Sequence, residues 1–181
     1  MRTTIKFVAL LLSAQAGHAG EPAPLTAMDF IEIQQLVNRL NIALDYCTNG
    51  GQDFADLFAE GGRFVIDEGN GKPTTFSTRQ QLVSLAGGPD CKALKDPPRS
   101  YIRHLAEGLV IEATPEGAAG TSYAIYPASK GKFLKEDVAG QVGLYHDQYV
   151  RTAKGWRFAV RLHETTPVVD GRRQDGKAKA K

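Results

Sequence analysis

The chain has 181 residues, of which 42% are hydrophobic and 23% are charged, proportions typical of one globular domain. This composition excludes a collagen-like, coiled-coil or wholly disordered chain. The net charge of +2 comes from the two ends of the chain, because the N-terminal segment and the segment after Asp170 are both rich in basic residues. The body between them is slightly acidic, so nothing indicates a nucleic-acid-binding protein.

The N-terminal segment has the layout of a secretion signal. Arg2 and Lys6 precede a short apolar run, and small residues follow that run. We therefore expect a signal peptide over residues 1–19, cleaved after Ala19, with residues 14–16 as an alternative cleavage site. The apolar run is too short to cross a bilayer. The mature protein is accordingly predicted to be periplasmic or secreted, with no stable membrane insertion.

The sequence contains two cysteines, Cys47 and Cys91. In an exported protein such a pair is predicted to form a disulfide. Closing this loop would stabilise the fold by about 4 kcal/mol in the chain-entropy model. The alternative is two unpaired cysteines, at least one of them buried. A catalytic thiol is disfavoured because no histidine lies near either cysteine in the sequence.

Helical signals dominate the first half of the mature chain. A lead-in over residues 20–27 precedes a helix that starts at Thr26, where Thr26 and Asp29 resemble a capping box. Apolar residues then recur at helical spacing until the helix ends near Cys47. Further elements predicted in this half are a short helix at 53–60, two short strands at 63–67 and 74–77, and a helix at 78–85.

Strand signals dominate the second half, with long strands predicted at 101–113, 118–126, 138–152 and 156–165. In the last strand two sets of side chains alternate. The set predicted to face the core is Trp156, Phe158, Val160 and Leu162. The set predicted to face outward is Arg157, Ala159, Arg161 and His163. The polar tail over 167–181 is predicted to be disordered.

Segregation of helices from strands indicates an α+β fold. Helices packed on the concave side of a strongly curved, mostly antiparallel sheet leave a cone that is open at one end. Such a concave, largely apolar space is a typical binding site for a small molecule.

Three short sequence segments occur in an order that matches a known family. They are Leu-Phe-Ala-Glu-Gly-Gly-Arg-Phe at 57–64, Tyr-Ile-Arg-His-Leu at 101–105, and Gly-Leu-Tyr-His-Asp-Gln-Tyr-Val-Arg-Thr at 143–152. Together they resemble the SnoaL-like branch of the nuclear transport factor 2-like superfamily. The resemblance implies a cone-shaped α+β barrel domain over 28–166, a hydrophobic pocket, no metal or organic cofactor, and a homodimer. It does not select a reaction, because the superfamily includes scytalone dehydratase, ketosteroid isomerase, limonene epoxide hydrolase and polyketide cyclases.

His104 is the leading candidate for a catalytic residue. It shares a predicted strand face with Ile102, Ala106 and Val110, and it matches the general acid/base histidine of the dehydratase-like members. Asp45, at the end of the first helix, matches the aspartate that orients that histidine, although the glycine-rich stretch after this helix departs from the family pattern. An Asp–His pair would fix the imidazole tautomer. The alternatives are a structural histidine and a solvated aspartate at the end of a helix.

Four more residues are candidate substrate contacts. Tyr46 is a candidate hydrogen-bond donor. Asp67 lies near the position of the proton-shuttling aspartate of the isomerase, provided that one residue is inserted before it. His146 and Tyr145 point to opposite faces of one strand, and an apolar row favours His146 as the inward residue. Tyr145 and Asp147 match a family tyrosine and aspartate, which leaves a structural role for them open.

The sequence therefore predicts an exported protein that binds a small, largely apolar molecule, with cofactor-free chemistry of the dehydratase, isomerase or cyclase type as the favoured activity. Ketosteroid isomerisation is disfavoured because the oxyanion-hole tyrosine of that enzyme falls near Leu40. The alternatives are a binding module without chemistry, or a protein that dimerises or docks a partner through an outer sheet face carrying Arg157, Arg161 and His163. The histidines lack the spacing of metal ligands, so no metal site is expected.

Overall fold

A computed structural model describes residues 22–87, 100–126, 128–130, 141–165, 168–169 and 172–173. The helical elements are α1 (Ala27–Tyr46), a 3₁₀ turn (Thr48–Gly51), α2 (Gln52–Ala55) and α3 (Arg79–Gly87). The strands are β1 (Phe58–Asp67), β2 (Thr74–Phe76), β3 (Ser100–Ile102), β4 (Leu105–Thr114), β5 (Gly117–Tyr126), β6 (Ala128–Lys130), β7 (Gln141–Thr152), β8 (Gly155–Thr165), β9 (Val168–Val169) and β10 (Arg172–Arg173). Among the described helices, none has the length and apolar character needed to cross a membrane.

Helix α1 begins with a capping box. The Thr26 hydroxyl accepts a hydrogen bond from the backbone N of Asp29, and the Asp29 carboxylate accepts one from the backbone N of Thr26 at 2.8 Å. These bonds satisfy two donors that a helix start would otherwise leave unpaired. At the other end, Cys47 adopts the left-handed conformation (φ 49°, ψ 41°) and ends the helix two residues after Asp45.

The second helix is shorter than the sequence predicts. The expected helix covers 53–60, but α2 ends at Ala55 and β1 begins at Phe58. Phe58 pairs with Phe158 of β8 in the sheet, and its buried ring lies 5.3 Å from the ring of Phe54 and 5.4 Å from that of Phe158. Pairing with the sheet therefore overrides the local helical pattern.

Six strands form one open, mixed sheet in the order β2-β1-β8-β7-β5-β4. The pair β1–β8 is parallel and the other pairs are antiparallel. Helix α1 packs against β4 and β8. The predicted α+β class is confirmed. The buried core between the helices and one face of the sheet includes Ile33, Leu36, Val37, Leu40, Phe54, Phe58, Phe64, Leu82, Tyr149, Trp156 and Phe158.

Strand β8 carries a β-bulge at Ala159. On the neighbouring strand β7, Gln148 pairs with Val160 and the next residue, Tyr149, pairs with Phe158. Ala159 therefore has no partner residue on β7. One extra residue in a strand moves every following side chain to the other face of the sheet.

The bulge changes which side chains of β8 face the helices. Trp156 and Phe158, before the bulge, are buried as predicted, with exposures of 5% and 0%. After the bulge the buried residues are Arg161 and His163, with exposures of 0% and 7%. The prediction that these two residues point outward is therefore wrong, and they are not part of an outer docking face.

Several predicted features lie outside the described residues. They are the signal segment 1–19, Cys91 with the loop around it, and most of the tail over 167–181. Within the segment predicted to be a disordered tail, β9 pairs with β10.

Candidate functional site

His104 lies between β3 and β4, where the long strand predicted at 101–113 is interrupted, and it contacts the end of α1. Its ring Nδ1 is paired with Oδ1 of Asp45, and its backbone N donates to Oδ2 of Asp45 at 2.9 Å. The side chains of His104 and Asp45 are 21% and 6% exposed. The structure thus brings together the two residues that the sequence identifies as candidate catalytic groups.

Two contacts to one carboxylate fix the orientation of the His104 imidazole. An ionised carboxylate only accepts hydrogen bonds, so its contact with Nδ1 places a proton on that nitrogen. Nε2 is then the nitrogen at which the ring gains or loses a proton. Because the backbone N of His104 binds the same carboxylate, ring and main chain are held together, as a proton-transferring group requires.

The apolar row predicted around His104 is not continuous. A register shift in β4 between Glu107 and Val110 turns Val110 outward, where it is 60% exposed. Ala106 remains packed against the core. On the inner side, the imidazole of His163 is close enough to His104 for the two rings to interact electrostatically.

A set of buried polar residues lies on the same face of three adjacent strands, and we call it the polar cluster: Ser122 of β5, Tyr145 and Asp147 of β7, and Arg161 and His163 of β8. Tyr145 pairs with Ser122 on one side and with His163 on the other, and Asp147 pairs with Arg161. Each member is at most 7% exposed. Such a concentration of buried polar groups is costly for folding and is typical of functional sites.

Arg161 lies at the centre of the polar cluster. Its Nε is 3.1 Å from Oδ1 of Asp147, and its Cζ lies over the ring of Tyr145, 3.7 Å from the ring centroid. Oδ2 of Asp147 accepts a hydrogen bond of 2.8 Å from the Tyr149 hydroxyl. Burial raises the pKa of Asp147 against the opposing effects of Arg161 and Tyr149, and burial also raises the pKa of Tyr149.

His163 is held in its neutral form. Burial, and then the neighbouring His104 and Arg161, lower the pKa of His163 to about 4. Its ring lies 5.1 Å from that of Tyr145. A Cβ added at Gly143 would clash with the backbone O of Glu164 and lie 3.3 Å from Nε2 of His163, so only glycine fits beside this ring. At neutral pH the permanent positive charge of the polar cluster is therefore that of Arg161.

Two predicted substrate contacts are not among the buried polar residues. The Tyr46 side chain is on the surface, with the residue 60% exposed, and the guanidinium of Arg103 lies 5.0 Å from its ring centroid. The carboxylate of Asp67 accepts a hydrogen bond of 2.8 Å from the backbone N of Gly69 in an exposed turn. Both side chains thus have local surface contacts.

The orientation predicted for β7 is wrong. His146 was expected to face inward, but its side chain is 42% exposed and lies 3.4 Å from Oε2 of Glu164. Tyr145 and Asp147 face inward instead, with exposures of 1% and 2%. The physical reason is that Tyr145 and Asp147 meet Arg161 and His163, which the bulge in β8 has turned inward.

Sequence reasoning missed Ser122, Arg161 and His163 as members of the site. The available signal was a repeated spacing: Arg161 and His163 are two residues apart on one strand, as Tyr145 and Asp147 are on its neighbour. Two polar pairs of this spacing on adjacent strands are compatible with one shared face.

Cys47 lies two residues after Asp45, at the C-cap of α1. Its predicted partner, Cys91, is outside the described residues. The Cys47–Cys91 disulfide therefore stays a prediction, and it would anchor the end of the helix that carries Asp45.

An open surface groove of about 650 Å³ lies at a different part of the molecule. Its lining includes Glu60, Arg79, Lys154 and Arg157, and it contains neither His104, Asp45 nor a member of the polar cluster. Its salt bridge, Arg79 to Asp56, joins two exposed side chains. The groove is therefore separate from the candidate site.

The sequence model of a family described as a SnoaL-like domain matches residues 26–162. Among solved structures, an NTF2-like protein with a cystatin-like fold from Novosphingobium aromaticivorans is 20% identical, with a TM-score of 0.57 over 80% of this chain and 84% of that one. ActVI-ORFA from Streptomyces coelicolor is 19% identical, with a TM-score of 0.59 over 76% and 96%. A structure from Catenulispora acidiphila in complex with S-DNPA is 22% identical, with a TM-score of 0.55 over 77% and 95%. No curated protein matches the chain.

Proposed function

Because this chain belongs to the SnoaL-like domain family, we propose that it binds a small, largely apolar molecule on the concave face of its sheet. We further propose that His104 and Asp45 carry out cofactor-free acid–base chemistry on that molecule. The observation that carries this proposal is the His104–Asp45 pair, in which a largely buried carboxylate orients a partly buried imidazole. The solved complex of a Catenulispora acidiphila relative with S-DNPA supports binding of a small molecule by this fold.

The proposed reaction is a proton transfer followed by loss of water. In a β-hydroxy ketone, Nε2 of His104 would take the proton from the carbon between the carbonyl and the hydroxyl-bearing carbon. The C–H electrons form the new double bond, and the C–O bond breaks. The protonated imidazole returns its proton to the departing hydroxyl, which leaves as water. Asp45 keeps the Nδ1 proton in place and stabilises the imidazolium that forms between these two steps.

The test is an assay of turnover with a panel of β-hydroxy ketones, in which the absorbance of the conjugated enone measures product formation. We expect the wild-type protein to form product, and His104→Gln to lower kcat by about 10²- to 10⁴-fold. His146→Gln is the matched control, because it removes a partly exposed histidine outside the polar cluster and should leave kcat unchanged.

Three results would contradict parts of this proposal. Equal turnover by wild-type protein and His104→Gln would exclude the catalytic role of His104. Thermal stabilisation of the wild-type protein by these compounds without any product would identify a binding module instead. Neither product nor stabilisation across the panel would count against the binding function as well.

We also infer that the chain is exported, with residues 1–19 removed. The support is the charge, the apolar run and the small residues of the N-terminal segment. The intact mass of the protein recovered from the periplasm or the culture medium tests this inference. We expect the mass of a chain that begins at Gly20. An unprocessed chain that stays in the cytoplasm would contradict export.

A homodimer is the proposed assembly. Large apolar side chains are exposed on the side of the sheet away from the polar cluster, among them Val110 and Tyr123, which are 60% and 57% exposed. Light scattering on the purified protein should give twice the mass of the chain, and Tyr123→Asp should lower that mass to one chain. A monomeric wild-type protein would contradict the proposal.

A further inference from the structure

The terminal nitrogens of Arg161 have no hydrogen-bond partner within the part of the chain that the structure describes. The side chain is nevertheless fully buried. Its Nε forms an ion pair with Oδ1 of Asp147 at 3.1 Å, so the charge is balanced on that side although no hydrogen bond forms, whereas Nη1 and Nη2 have neither kind of partner among the described residues. A buried charged donor without an acceptor costs several kcal/mol. A protein that keeps such a group has a use for these two nitrogens.

The surroundings of Arg161 include a second unpartnered polar group. The guanidinium lies over the ring of Tyr145, with its Cζ 3.7 Å from the ring centroid. Ser122, which pairs with Tyr145 on the next strand, carries a second buried group without a partner, its hydroxyl. Unpartnered polar atoms therefore lie near Tyr145 on both neighbouring strands.

The charges near these two nitrogens favour an anion. Asp147 is the acidic member of the polar cluster; its Oδ1 forms an ion pair with Nε of Arg161 at 3.1 Å without a hydrogen bond, and its Oδ2 accepts a hydrogen bond from the hydroxyl of Tyr149. Asp45, the other buried carboxylate near the site, is engaged by His104. Because the site is shielded from water, a charge-assisted hydrogen bond formed there keeps most of its strength.

We propose that Nη1 and Nη2 of Arg161, together with the hydroxyl of Ser122, bind an anionic oxygen of the ligand. The ligand is thus an apolar molecule that carries a carboxylate or an acidic phenol, rather than a neutral one. This inference rests on the proposed function, because the ligand must enter the concave face of the sheet to reach Arg161.

The test uses three probes of similar flat shape: 2-naphthoate, which is a carboxylate, 2,4-dinitro-1-naphtholate, which is a phenolate, and 2-naphthamide, which is neutral. Titration calorimetry at pH 7 measures the Kd of each. The wild-type protein should bind one or both anions about 10- to 100-fold more tightly than the amide, the ratio expected for hydrogen bonds to a charged group. The anion that is preferred identifies the acidic group.

Three variants separate the role of Arg161 in anion binding from its role in folding. Arg161→Gln combined with Asp147→Asn removes both charges together, so no lone charge is left buried, and this variant should bind the three probes with equal Kd. Ser122→Ala deletes one small buried hydroxyl and should weaken anion binding by about two- to tenfold without affecting the amide. Arg157→Gln, the matched control on the same strand, removes an equal charge outside the polar cluster and should keep the full preference.

The outcomes are distinguishable. If the amide binds the wild-type protein as tightly as the anions, the anion site is refuted while binding on the concave face stands. A preference for anions that survives in the Arg161→Gln and Asp147→Asn variant would also refute it. Failure of all three probes to bind the wild-type protein would instead count against the proposed function, and the inference would fall with it.

Discussion

The two ends of the concave sheet face differ sharply in chemistry. At one end Phe58 and Phe158 join Phe54 in a cluster of aromatic rings, with centroids 5.3 to 5.4 Å apart. At the other end the same strands carry buried polar groups, with Arg161 and His163 on β8. The comparison teaches that the apolar packing of the core and the buried polar groups of the candidate site are separated along the strands of one sheet.

The separation depends on the bulge at Ala159. Before Ala159, strand β8 presents aromatic residues to the helices, and after it the strand presents a guanidinium and an imidazole. A regular strand with this sequence would bury Val160 and Leu162 instead. The extra residue is therefore what changes the apolar end into the polar end.

Asp147→Leu should have the largest effect, because it leaves the fully buried guanidinium of Arg161 without a counter-charge at the polar end. We expect a loss of about 5 kcal/mol in the free energy of unfolding, measured with urea, since removing one partner of a buried ion pair is strongly destabilising. Arg161→Gln combined with Asp147→Asn removes both charges and should cost less than the single change. A single variant as stable as this double variant would show that Asp147 does not compensate the buried charge of Arg161.

Phe54→Ala should have the next largest effect, because it opens a cavity in the apolar end. Phe54 is fully buried and its ring lies 6.0 Å from that of Phe64. We expect a loss of about 3–5 kcal/mol by urea unfolding, with unchanged probe binding at the polar end. Phe76→Ala, on the edge strand β2, is the control and should cost less. Altered anion preference in Phe54→Ala would indicate that the two ends are coupled.

The smallest effect concerns pH and tests the polar end alone. The pKa of His163 is about 4 in the folded chain, against its ordinary 6.5, so the unfolded chain binds a proton first as the pH falls. The free energy of unfolding should therefore fall by about 3 kcal/mol between pH 6.5 and pH 4, and this group should not change it above pH 6.5.

His163→Gln isolates this effect. The raised pKa of Asp147 acts in the opposite direction, but it is present in both proteins and cancels in their difference. Urea unfolding at pH 7, 6, 5 and 4 should show the wild-type protein losing stability relative to the variant as the pH falls. Parallel curves for the two proteins would mean that His163 is not held neutral by its surroundings.

Much of the fold could be predicted from the sequence, because the relevant signals are local. Thr26 and Asp29 form the capping box, and the apolar residues of α1 are buried as their spacing predicts. The pairing of His104 with Asp45 was predicted from the resemblance to a family. No local sequence pattern links Asp45, at the end of a helix, to His104, which lies far away in the sequence between two strands. Whether that pair is catalytic remains a prediction.

The errors have a common physical cause, which is strand register. Periodicity in one strand cannot reveal an extra residue whose position is set by the neighbouring strand, as Ala159 is by Gln148 and Tyr149. The same kind of shift turned Val110 outward in β4. Once β8 was assigned to the wrong face, the choice between His146 and Tyr145 on β7 was wrong as well.

Strand β8 lies in the middle of the sheet although it is the last long strand among the residues that the structure describes. Its parallel partner, β1, is synthesised earlier. The two strands can pair only after Arg161, which lies opposite Phe64, has been synthesised. Contacts so distant in sequence form slowly. The nascent protein therefore cannot complete this sheet until β8 has been synthesised, and a chain terminated before β8 would lose both the centre of the sheet and the buried side chains of Arg161 and His163.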